Sequence, residues 1–147
     1  MKTYRNVVVG TDGSDSSLRA VDRAGNIAAT SNANLIVATA YLPSREDRHG
    51  ANALKDDVYQ ITGSAPIYAR LRDARERAKA AGAANVKERA VRGAPIEALV
   101  DLAKEVDADL LVVGSVGLHT VGGRLFGSVP GSVSRRATTD VLIVHTA

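Results

Sequence analysis

Leu110-Leu111-Val112-Val113 runs directly into Gly114-Ser115-Val116-Gly117, and nine residues later Gly127-Ser128 follows. The apolar run is too short for a helix and holds no polar position, which is how a strand covered on both faces reads. The same signature recurs at Val7-Val8-Val9, at Leu35-Ile36-Val37-Ala38 and at Val141-Leu142-Ile143-Val144. A weaker run, Val86 to Val91, carries Lys87, Glu88 and Arg89 and is expected at a sheet edge.

Helical patterns separate these runs. After Ser14, a candidate N-cap, Leu18, Val21, Ala24 and Ala28 fall on one stripe. Pro66 opens a second stripe of Ile67, Leu71, Ala74 and Ala78, which Gly82 ends. Pro95 opens a third, with Ile96, Leu99, Val100 and Ala103. A fourth helix is expected from about Ser128, with Val129 and Val133 inward and Arg135-Arg136 near its end. Strict β-α alternation implies an α/β fold: a doubly wound, three-layer parallel sheet of five strands with helices on both faces. Ligands of such sheets bind at the carboxyl ends of the strands, where the winding reverses. The polar stretch from Pro43 to Ser64 is long for a connection and reads as a lid or a mobile loop.

With 147 residues and 45% hydrophobic content, the chain is expected to form a single domain over 1–147. Aromatic residues make up only 3%, so stacking platforms for single-stranded nucleic acid are disfavoured. The net charge is +3, and the densest basic stretch, Arg70 to Arg92, is interleaved with Asp73, Glu76 and Glu88. That pattern suits a solvated helix face, and no nucleic-acid partner is expected. The absence of cysteine removes disulfides, thiol nucleophiles and Cys-based zinc sites. His49, His119 and His145 lie far apart, and no metal site is expected. No secretory segment and no apolar run of membrane-spanning length occurs, so the expectation is a cytoplasmic protein without a membrane partner.

The glycine-rich stretch after Val113 is the strongest chemical signal. Glycines let backbone N–H groups approach an anion, and a helix N-terminus adds its dipole. Ser128 offers a hydroxyl and Arg124 a charge, so phosphate binding is the reading. Asp12, within Gly10-Thr11-Asp12-Gly13-Ser14, would share that crevice if strands one and four are neighbours. It would then hold a ribose hydroxyl, a base edge or a phosphate-bound metal; the competing role is capping the first helix. P-loop, dinucleotide-fingerprint and nucleophile-elbow patterns are missing.

Taken together, Val7 to Ser14, Ala108 to Ser115 and Val141 to Val144 resemble the universal stress protein family over essentially the whole chain. Gly114, Gly117, Gly127 and Ser128 match the G-2x-G-9x-G-[ST] pattern of its nucleotide-binding branch without a gap. The resemblance implies strand order 3-2-1-4-5 and an adenine nucleotide between strands one and four. The ligand would be ATP, with Mg2+ able to accompany it, or else AMP or cyclic AMP. Gly114 would flank ribose and phosphates, with Gly117, Gly127, Ser128 and Val129 around the phosphate chain. Gly10, Thr11 and Asp12 match the base and ribose end, and Ala40 the place where main chain meets adenine.

The implied role is a stress-response binding module, not an enzyme, with weak ATP hydrolysis left open. It would be a homodimer through the last strand, Asp140 to His145, with Leu142 on the contacting face and Ile143 on the other. The alternative is an enzyme of the same architecture acting at the ATP α-phosphate. Gly10 to Ser16 faintly resembles the SGGxDS loop of ATP pyrophosphatases, but Asp12 stands where that loop needs a glycine.

Overall fold

The computed structural model describes residues 3–41, 65–115 and 137–145. In chain order these form β1 (Asn6–Gly10), α1 (Asp15–Ser31), β2 (Asn34–Tyr41), α2 (Ala65–Ala80), β3 (Asn85–Arg92), α3 (Pro95–Glu105), β4 (Leu110–Gly114) and β5 (Asp140–Val144). The helix expected from Ser128 and the stretch from Pro43 to Ser64 lie outside the described residues.

All neighbouring strands pair in parallel, in the order β3-β2-β1-β4-β5, as expected. The apolar runs fill both faces because successive strand residues point to opposite sides. Val7, Val9, Leu35, Val37, Leu110 and Val112 pack with Val21, Ala24, Leu71 and Ala78 of α1 and α2. Val8, Ile36, Ala38, Leu111 and Val113 pack instead with Leu99 and Leu102 of α3. One uninterrupted run therefore feeds two separate cores, and the sheet is the middle layer of three.

The helices start and stop where their local chemistry dictates. Ser14 caps α1 by accepting the Ser17 N–H at 3.1 Å. The helix closes at Asn32, whose φ of 55° is left-handed, with the Ala33 N–H returning to Ala28 O at 2.9 Å. Past α2, Gly82 at φ +117° serves the same purpose, and Ala33's counterpart is Ala83, bonded to Ala78 O at 3.1 Å. The two helices cross closely at Gly25: a Cβ there would come within 2.8 Å of the Ala78 carbonyl oxygen. Beside the crossing, Arg77 grips Asp22 through two hydrogen bonds of 2.9 and 2.5 Å. The Asp22 carboxylate holds the Arg77 guanidinium above its ordinary pKa, against a smaller opposing effect of desolvation.

The edges differ from the centre. β3 occupies one edge, as its mixed sequence implies, and pairs with β2 along eight residues. β5 occupies the other and is only partly covered, so its apolar run does not mark a strand buried on both faces. The exposed apolar position is Ile143, at 41%, whereas Leu142 and Val144 pack against the chain's own α1–α2 core. Leu142, expected on the contacting face, is thus the inward residue of the two and Ile143 the outward one. No helix among the described residues is long and apolar enough to cross a membrane.

Candidate functional site

Parallel pairing puts the carboxyl ends of β1, β2 and β4 side by side. Val9 lies opposite Val112 of β4, so the residues just beyond Gly10 stand next to Gly114. On the other flank, Gly10 pairs with Ala38, which brings Ala40 level with the turn that follows β1. The structure thus gathers Gly10, Thr11, Asp12, Ala40 and Gly114 at one end of the sheet. Gly117, Arg124, Gly127, Ser128 and Val129 lie outside the described residues.

The turn from β1 into α1 is built by its own side chains. Thr11 is fully buried; its N–H reaches Ala38 O at 2.8 Å, and its carbonyl accepts from the Thr39 hydroxyl at 2.7 Å. Its hydroxyl shares a 2.8 Å hydrogen bond with Ser17 and accepts the Gly13 N–H at 3.1 Å. Asp12 accepts the Ser14 N–H on Oδ1 at 2.9 Å and donates its own N–H to Ser17 Oγ at 3.3 Å. Gly13 sits at φ +85°, a conformation side chains resist.

These contacts sort the expected site residues by what holds them in place. Ser14 is the helix cap, so Asp12 is not needed for capping; its carboxylate shapes the turn at the mouth of the crevice. Thr11 is an internal strut whose hydroxyl is spent on the turn. Gly10 has a packing reason of its own: a Cβ there would come within 2.7 Å of Leu99 Cδ1. Ala40 is partly exposed on the face of the sheet that α3 covers, two residues beyond Ala38. Beyond Gly114, the Ser115 N–H donates to Val144 O at 2.7 Å, tying the start of the glycine-rich stretch to β5.

Sequence reasoning missed Ser17 and Thr39, the two buried hydroxyls that complete the turn. Their only signal was polarity at positions that the surrounding periodicity makes internal. It also missed Arg70, whose side chain lies over Gly13. A groove of about 600 Å³ lies at the opposite, amino end of the strands, between α1 and β5, and is separate from this site.

In doubly wound parallel sheets ligands bind at the carboxyl ends of the strands beside the winding reversal, which in this α/β domain falls between β1 and β4. The universal stress protein family matches residues 3–145, and the chain belongs to that family. It is 64% identical over 146 residues to universal stress protein Rv1636 of Mycobacterium tuberculosis, covering 99% of both chains. A putative universal stress protein of Staphylococcus aureus is 32% identical, over 99% of this chain and 87% of its own length. Among solved structures, a universal stress protein in complex with cAMP superposes with a TM-score of 0.77 at 62% identity, covering 99% of this chain and 100% of that one. The crystal structure of Rv1636 from Mycobacterium tuberculosis H37Rv gives a TM-score of 0.64 at 57% identity, covering 100% of this chain and 99% of that one.

Proposed function

We propose that the chain binds an adenine nucleotide at the carboxyl end of the sheet and acts as a regulatory stress-response module. One juxtaposition carries this reading: the Asp12 turn stands beside Gly114, the first glycine of an intact phosphate-cradle pattern. The complex of the 62% identical relative with cAMP supports the same ligand class. In this assignment Asp12 and Ala40 meet the ribose and base. Gly114, Gly117, Gly127, Ser128 and Val129 surround the phosphates, with Arg124 adding charge. ATP, with Mg2+ able to accompany it, AMP and cyclic AMP all fit that chemistry.

The proposal is for binding without catalysis. Phosphoryl transfer needs a positioned base and charge stabilisation at the leaving group. The residues assigned to the site include Asp12 and Arg124 but no second carboxylate and no lysine. Asp12 also stands where a pyrophosphatase-like loop would need a glycine backbone to face phosphate. Binding alone suffices for a signal, because occupancy stabilises the folded chain by mass action. We place the protein in the cytoplasm as a homodimer through the open edge of β5.

Mass spectrometry of small molecules released on denaturing the purified protein tests the ligand class. An adenine nucleotide in stoichiometric amount is expected. A different stoichiometric ligand would overturn the assignment.

A further inference from the structure

Arg70 projects from the second turn of α2 and falls in the basic stretch that sequence alone assigns to a solvated face. Its aliphatic stem is placed more specifically than that. A Cβ at Gly13 would come within 2.9 Å of both Cγ and Cδ of Arg70, and within 3.3 Å of its Nε. The stem therefore occupies the space that the missing side chain of Gly13 leaves, directly against the turn that carries Asp12. Three other arginines of α2 and β3, though among the described residues not Arg72 or Arg92, pair with carboxylates: Arg77 with Asp22, Arg75 with Glu88 and Arg89 with Glu105. Arg70 has no such ion pair among the described residues, so packing on the turn is what locates it.

We propose that Arg70 is a positioning residue for the ligand site, its methylene stem clamping the Asp12-Gly13-Ser14 turn from the α2 side. The physical need is clear. A glycine in the left-handed region is the most freely rotating link of the chain, and fixing it costs conformational entropy. Long cationic side chains cover neighbouring surface with their stems while the charged head stays in water. Arg70 thereby couples the orientation of α2 to the direction of the Asp12 carboxylate. The clamp rests on the reading that Asp12 contacts the nucleotide.

The test is a double-mutant cycle read by calorimetric titration with ATP and with cyclic AMP. Arg70→Ala removes the stem and is expected to weaken binding about three- to tenfold. Arg70→Met keeps an unbranched stem without charge and should restore most of the affinity. On an Asp12→Ala background, Arg70→Ala should change affinity no further, because what it positions is gone. Arg70 is exposed, so each variant is expected to fold, and the melting temperature of the ligand-free protein should barely move. Equal losses from Arg70→Ala with and without Asp12, or a Met variant as weak as the Ala one, would overturn the clamp. If Asp12→Ala itself binds like wild type, the site assignment fails first and the clamp falls with it.

Discussion

At Asp12 and Ser14, two adjacent polar roles separate cleanly. Ser14 caps α1, so Ser14→Ala should cost about 1 kcal/mol of stability, measured by denaturant unfolding of the ligand-free protein. Asp12→Ala removes a turn hydrogen bond but no cap. Its expected signature is a marked loss of nucleotide affinity with only a small change in the unfolding midpoint. The opposite pattern, lost stability and unchanged affinity, would return Asp12 to a structural role. Gly10 answers to a third constraint, since Leu99 Cδ1 stands 2.7 Å from where its Cβ would be. Gly10→Ala should therefore destabilise the fold by about 1–3 kcal/mol as the buried Leu99 side chain is displaced. A loss of affinity in that variant must be compared with its loss of stability before Gly10 is counted as a ligand residue.

At the scale of elements, the three described helices and the four inner or mixed strands are legible from sequence, because burial writes itself into the pattern. Val7 to Val9 and Leu110 to Val113 show no polar position since both faces meet a core. The charges of β3 announce an edge. β5 defeats the same logic: an apolar run looks alike whether the strand is fully buried or, as here, only partly so. Contacts between distant elements were equally illegible. Nothing local to Arg70 signals Gly13, and the glycine at position 10 signals a turn and a tight helix contact in the same letter. Among the described candidate residues, the gathering of Gly10, Thr11, Asp12, Ala40 and Gly114 at the strand ends follows from the strand order, but which of them hold up the turn could not be read. The open β5 edge makes its own prediction. Ile143→Lys should convert a dimer to a monomer in sedimentation velocity, since Ile143 is the exposed apolar residue of that strand. A dimer that survives the substitution unchanged would move the interface elsewhere.

At the scale of the molecule, the three layers bring segments from distant parts of the chain together at the carboxyl ends of β1 and β4 as the two walls of the candidate site. The first wall is the turn after β1, fixed by Thr11, Ser17 and Thr39. The second begins at Gly114 and is tied to β5 through Ser115. A nucleotide bridging these walls would add stability by mass action, about 2.7 kcal/mol at a ligand concentration one hundred times Kd. Unfolding followed with and without ATP should show that increment in the wild type and lose most of it in Asp12→Ala. The central claim, an adenine nucleotide held between β1 and β4 by a glycine cradle, is tested most directly by calorimetric titration of ATP and cyclic AMP into wild type and Gly127→Val. The account predicts saturable binding of one nucleotide per chain in the wild type and none in the variant, with both proteins folded. Wild-type-like binding by Gly127→Val, or no binding by a folded wild type whose purified preparation is free of nucleotide, would contradict it.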